Sequence, residues 1–457
     1  MHRLKLLWIS ASASFWFLPY IIVALSIALG MTLLRMEDSA LAQWMQSKPE
    51  VFGASASGAR EMVSTIASSM MAVVGIVFSI TLVAIALAST QYSSRVLPTF
   101  MRSRITQSSL GIFAGIYVYC LIVLRGMYGE NESAYVPILA VTVAALLALL
   151  GVVMLVYFIH HIALSIQAST ILALIREETV GSLTTLFPQE LGDEGAPDDA
   201  DIAARLDGVH WTPVLACGTG YVQSVDVQGL LAFACKYGML IRLDRGVGQF
   251  TIAGTPLFSI SGPALPDAAA FDTLEQTVAI ARSRTVLQDP SFGIREMVDV
   301  ALKALSPGMN DTTTAVICID HLTAIMVALA RRTIPSPYRY VEGDLKVIAH
   351  GPDFQRMLGE AYDQIRRSAV GNVTVLVRLA AAIDTIAGLT LAADRLAVLS
   401  DQVDYLADTA TRGDLSEHDR ALIVDRVALA RTTVAAARTR ALNAQLQAQS
   451  QADSLAA

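Results

Sequence analysis

The sequence predicts a membrane protein of four transmembrane α-helices followed by a cytoplasmic α+β domain, a small β subdomain plus an α-helical C-terminal region. Three observations predict it. Of 457 residues, 54% are hydrophobic and only 16% are charged, where soluble domains carry about 25% charged residues. The shortage of charge is concentrated in the first third, which reads as long apolar runs. The second half carries ordinary charge, with Gly- and Pro-bounded short segments and then helical patterns. A net charge of −7 argues against a nucleic-acid partner.

A helix needs about 20 apolar residues to cross the hydrocarbon core. Four runs meet that length, at about 15–34, 66–90, 105–124 and 136–159. The first follows a basic onset (Arg3, Lys5) and has no small-residue cleavage site after it, so it reads as a retained anchor. The third is the weakest, because Thr106, Gln107, Ser108 and Ser109 stand at its start. Orientation follows from the Lys/Arg bias. Arg95, Arg102 and Arg104 lie between spans two and three without an acid, while Arg125 is accompanied by Glu130 and Glu132. This places the N-terminus and everything after span four in the cytoplasm, with residues 1–165 as the transmembrane domain.

Span two carries Ser68, Ala72, Gly75, Ser79 and Ala86, whose spacing puts them on one helical face. Two readings stand. One is a close helix–helix contact of the small-xxx-small kind at Gly75 and Ser79. The other is a stripe lining a water-filled path, which requires a homo-oligomer because four helices enclose too narrow a pore. The absence of an ionisable residue within that span argues against a proton relay or charge-coupled pump.

Residues 166–205 read as a helical stalk and an acidic linker. Residues 206–264 read as a small β subdomain of about five short strands around one helix, DVQGLLAFACKYG, with Asp226 as its N-cap. Residues 265–445 read as helical, with FDTLEQTVAIARSRTV as one helix and Asp289–Pro290 opening the next. Residues 446–457 read as a disordered tail. Cys120, Cys217, Cys235 and Cys318 lie far apart and form no CxxC pair, so neither a metal site nor a disulfide framework is expected. No cofactor is expected either.

Between Ala304 and Ala315 the chain reads ALSPGMNDTTTA. As a corner, Leu305 ends one helix and Ser306 precedes Pro307, where helical geometry is disfavoured. Gly308 then permits the turn. Asn310 or Asp311 caps the next helix, with Thr312 in its first turn. Asp299, Asp320 and His321 interrupt apolar helical sequence and are candidate buried polar groups.

FSITLVAIALASTQYSSRVLPTF, GYVQSVD and DPSFGIREMVDVALKALSPGMNDTTTAVICIDHL together resemble the predicted membrane protein family of domain of unknown function 2254. The likeness covers nearly the whole chain. Its most specific element is a run close to ALSPGxNDPxTA, which this chain departs from at Thr312. Ser93, Ser94 and Arg95 likewise depart from the family's S-P-R. The resemblance implies an inner-membrane protein with an N-terminal membrane domain and a cytoplasmic C-terminal domain, and it implies no activity.

The sequence offers no nucleophile elbow, HExxH or phosphate-cradling loop, so no enzyme is expected. The leading expectation is an oligomeric passive ion channel or pore with a cytoplasmic gating or assembly domain. The alternative is a membrane-anchored sensor or scaffold whose cytoplasmic domain binds a small ligand or a protein. The lipid bilayer is a partner in both.

Overall fold

A computed structural model describes residues 16–36, 39, 44–45, 47, 55–91, 103–127, 135–186, 202, 206–263, 267–286, 288–332, 334, 336–390 and 392–456. Arg95, Arg102, Ser93, Ser94 and the acidic linker from 187 to 201 lie outside them. The chain divides into two compact units, Met1–Ile171 and Leu172–Ala457.

The first unit contains α1 (Phe17–Arg35), α2 (Ala56–Gln91), α3 (Arg104–Gly126) and α4 (Ile138–Ser165). Each is long and apolar enough to cross a membrane. α3 packs against α1, α2 and α4, and this explains its polar start. Thr106, Gln107 and Ser109 are buried among the neighbouring helices rather than facing lipid. Ser109 Oγ donates to the Ile105 carbonyl at 2.8 Å, and the Tyr119 hydroxyl donates to the Ala140 carbonyl of α4 at 2.8 Å. Satisfied polar groups of this kind are tolerated at membrane depth. α2 begins ten residues before the expected span. Its 36 residues reach about 54 Å, well beyond a hydrocarbon core of about 30 Å.

After α4, the chain bends at Ile166–Gln167 and continues as α5 (Ala168–Leu186). The second unit then interleaves strands and helices: β1 (Thr212–Leu215), β2 (Gly220–Val225), α6 (Val227–Tyr237), β3 (Leu240–Leu243), β4 (Phe250–Thr251), β5 (Pro256–Ser261), α7 (Ala268–Glu275), β6 (Val278–Ala281), α8 (Pro290–Ala304), α9 (Thr312–Ala330), β7 (Tyr338–Val341), β8 (Asp344–Ala349), α10 (Phe354–Ser368), α11 (Val373–Leu389), α12 (Ala393–Arg412) and α13 (Glu417–Ala456). Asp226 caps α6 by accepting from Gly229 N at 3.0 Å, and Gly238 closes it in the left-handed conformation, as a C-terminal glycine does.

Three expectations need correction. FDTLEQTVAIARSRTV is not one helix: α7 ends at Glu275, and Val278–Ala281 forms β6 against β2. The region from 265 to 445 is not purely helical, since β7 and β8 form a hairpin across Glu342 and Gly343, both at positive φ. Two such residues make the tight turn whose twist suits a hairpin. The β and helical regions are therefore not separable blocks. One sheet has the order β1-β5-β3-β8-β7, with β8 parallel to β3, and a second has the order β4-β2-β6. Finally, α13 runs on to Ala456 instead of fading into a disordered tail near Gln445.

α9 is a fifth helix that meets the length and apolarity of a span. In the second unit it packs against α8, α10 and α11, burying Ala315, Cys318, Ile319, Leu322, Ile325, Met326 and Leu329. Its C-terminal carbonyls are capped from a distance. Buried Arg395 of α12 donates to the Leu329, Ala330 and Arg332 carbonyls at 3.2, 2.7 and 2.7 Å, a cation placed at the negative end of the helix.

Candidate pore face and helix corner

Ser68, Ala72, Gly75, Ser79 and Ala86 share one face of α2, and all five are exposed in the single chain. The opposite face buries Ala59, Val63, Ala67, Met70, Val77, Ala84 and Ala88. A Cβ built on Gly75 meets nothing within 4 Å, so no described residue makes the close contact expected there. The Ser68 hydroxyl bonds back to the Ser64 carbonyl at 3.0 Å, the usual way a helix satisfies a serine in an apolar medium. Glu61, also exposed, lies seven residues before Ser68 on the same face.

The close contact occurs on α3 instead. A Cβ on Gly111 would stand 2.8 Å from Ile22 Cδ1 and 2.9 Å from Pro19 Cα, and one on Gly115 would stand 2.5 Å from Ser26 Oγ. Gly30 and Gly126 are approached by Ile122 and Leu34 at 3.1 and 2.6 Å. The Gly111-x-x-x-Gly115 spacing lets α1 and α3 approach backbone to backbone. The sequence carries this motif, but spacing alone does not say which small pair meets its own chain.

α2 also exposes Met71, Ile76, Phe78, Leu82, Val83 and Leu87 beside its small residues, and α4 differs in lacking such a small-residue stripe on its exposed face from Leu146 to Ile159. Its exposed residues include Leu146, Leu149, Leu150, Val152, Val153, Val156 and Ile159, bulky apolar side chains suited to lipid tails.

The corner follows the expected plan with one change. α8 opens on Asp289, whose carboxylate accepts from Phe292 N at 3.2 Å and pairs with Arg284 at 2.7 Å. It closes at Leu305, and Ser306 Oγ donates to the Lys303 carbonyl at 2.6 Å. Gly308 has no positive φ; Asn310, at φ 46°, takes the left-handed position. Asparagine tolerates it better than most residues. Asp311, not Asn310, is the cap. It accepts from Thr314 N at 3.0 Å and Thr314 Oγ1 at 2.5 Å, and these bonds hold its carboxyl below the usual aspartate range. Thr312 Oγ1 accepts from Asn372 Nδ2 at 3.1 Å, which ties the corner to the turn before α11. Pro307, Gly308, Met309 and Asn310 are exposed.

The three candidate buried polar groups are not fully buried. Asp299 is half-buried and pairs with Arg295 one turn earlier at 3.2 Å. Asp320 is 40% exposed and pairs with Arg378 of α11. The His321 ring is pushed below the ordinary histidine range, first by burial and then by the Arg176 charge of α5. Among the described residues no group of three or more His, Cys, Asp or Glu could hold a metal ion.

A family model described as a predicted membrane protein, DUF2254, matches residues 12–385. An uncharacterised protein of Mycobacterium tuberculosis (strain CDC 1551 / Oshkosh) is 30% identical over 446 residues, covering 95% of this chain and 83% of its own. An uncharacterised protein of Mycobacterium bovis is 31% identical over 448 residues, with the same coverage. No solved structure matches.

Proposed function

Because the chain belongs to the DUF2254 family of predicted membrane proteins, we propose that it is an oligomeric passive pore of the bacterial inner membrane. Helices α1 to α4 span the bilayer, the N-terminus and the second unit face the cytoplasm, and the α2 faces of neighbouring copies line the path. One observation carries this reading. α4 turns only bulky side chains outward between Leu146 and Ile159, as lipid contact favours, while α2 interrupts its outward Met71, Ile76, Phe78, Leu82, Val83 and Leu87 with the stripe Ser68, Ala72, Gly75, Ser79 and Ala86. Small and hydroxylated surface suits a second protein surface or water better than acyl chains. α9 belongs to the core of the cytoplasmic unit in this reading. Its buried apolar face, its Asp320–Arg378 pair and its arginine cap all suit a soluble interior. The absence of an ionisable residue in the membrane-depth part of α2 favours passive flow over charge-coupled transport.

The test is single-channel recording of the purified full-length protein in planar bilayers, with native mass spectrometry of the same preparation. Discrete conductance from an oligomer is the expected result. Silence under all ionic and voltage conditions, together with a monomeric mass, overturns the reading and leaves the membrane-anchored sensor or scaffold.

A further inference from the structure

α13 is longer than anything it packs against. Ile423, Val427, Ala430, Val434, Ala437 and Ala441 are buried along it, alternately four and three residues apart, which is the spacing of a helix–helix seam. That seam meets α11 and α12. The short 413–416 connection makes α12 and α13 antiparallel neighbours. α12 has 20 residues and α13 has 40, so they extend about 30 Å and about 60 Å. Among the described residues, the next seam residue past Ala441, Ala444, is exposed, as are its off-seam neighbours Leu442 and Leu446 at 56% and 57%. Continued at the same spacing, the seam falls on Ala444, Ala448, Gln451 and Leu455, three apolar residues and one uncharged polar one.

We infer that the α13 overhang, from Ala441 onward, is an assembly surface whose occupant is the same segment of a second copy of this chain. Three features select a second copy. The uncovered stretch continues an existing seam instead of starting a new surface. No residue from Ala441 to Ala452 is charged, so identical helices meet without the like-charge repulsion that sets partner choice in charged seams. Copies inserted in one membrane with one topology are related by rotation about the membrane normal, so their overhangs run parallel and in register, and each residue meets its own counterpart. The inference rests on the assembly half of the pore reading and not on conduction.

The test is disulfide cross-linking of the full chain in native membranes. Cys217 and Cys235, the exposed thiols, are first replaced by serine. A444C on the seam and N443C off it are then oxidised under mild conditions. A444C is expected to form a covalent homodimer at least about tenfold faster than N443C, since disulfides require close Cα approach. A chain ended after Arg440 is expected to lose mass in native spectrometry. Equal rates at both positions, or an A444C adduct to a different protein, overturn the inference. So does an unchanged oligomer after truncation. A silent protein that still cross-links at 444 sinks the pore and keeps the assembly surface; a conducting one that does not cross-link does the reverse.

Discussion

Two stretches of the membrane unit carry nearly the same signal: Gly75 and Ser79 on α2, and Gly111 and Gly115 on α3. Both pairs are four residues apart in an apolar helix. The α3 pair is filled by Pro19, Ile22 and Ser26 of α1, and the α2 pair faces open space. Small residues at this spacing therefore state that something approaches closely, without stating whether it is the same chain. The second unit repeats the contrast. Gly293 of α8 lies against Thr179 of α5, whose Cβ would be 3.0 Å from an added methyl, while Gly308 has nothing within 4 Å.

The contrast can be broken by substitution, and the largest effect belongs to the filled pair. Gly111→Leu or Gly115→Leu must push α1 away backbone first, beyond the ~1–3 kcal/mol of ordinary over-packing. The expected outcome is little or no folded protein in detergent, read by size-exclusion chromatography and thermal melting. Gly75→Leu is expected to leave monomer folding intact while it reduces the conductance or the oligomer mass. An equal loss of fold in both would erase the distinction. Glu61→Gln, at the end of the same open face, is then expected to lower cation preference over anions, checked by reversal potentials in a salt gradient.

Smaller effects come from the second unit. Gly293→Ala is expected to destabilise the protein by about 1–3 kcal/mol, with Gly308→Ala within about 0.5 kcal/mol of the parent, both by denaturant titration. Asp311→Ala removes the cap of α9 and is expected to cost about 1 kcal/mol. Asp311 has a lowered folded pKa, so its contribution is present above the ordinary aspartate value of 3.8 and is lost as pH falls through the folded value. His321 works in the same direction. Its folded pKa lies below 6.5, so the unfolded chain takes up the proton first, and stability declines as pH falls below 6.5 towards the folded value. His321→Gln is expected to flatten that decline, measured as melting temperature against pH.

Much of this was legible locally. The four apolar runs, the N-caps Asp226, Asp289 and Asp311, and the end of α8 at Leu305 all depend on residues within a turn or two of one another. What escaped depends on distant partners or atypical turn residues. β6 pairs with β2, which a window centred on FDTLEQTVAIA cannot register. The β7–β8 hairpin turns on Glu342–Gly343, where Asn-Gly or Asp-Gly is the usual signal. Asn310 took the left-handed position that Gly308 was expected to fill. The outward aim of the α2 face could not be read either, because spacing fixes which residues share a face and not what the face meets.

The parallel pairing of β3 with β8 has a consequence for how the chain is made. Leu243 and its partner Ala349 are 106 residues apart, and α8 and α9 lie between them. Contacts that distant in sequence form late, because the intervening chain must be ordered before they are rewarded. On a ribosome, β3 waits beside β5 with one edge bare until β8 emerges. A nascent or truncated chain that ends before Asp344 therefore exposes a strand edge ready to pair with any other chain. Arrest of synthesis within α9 should yield aggregates, while arrest after Ala349 should not.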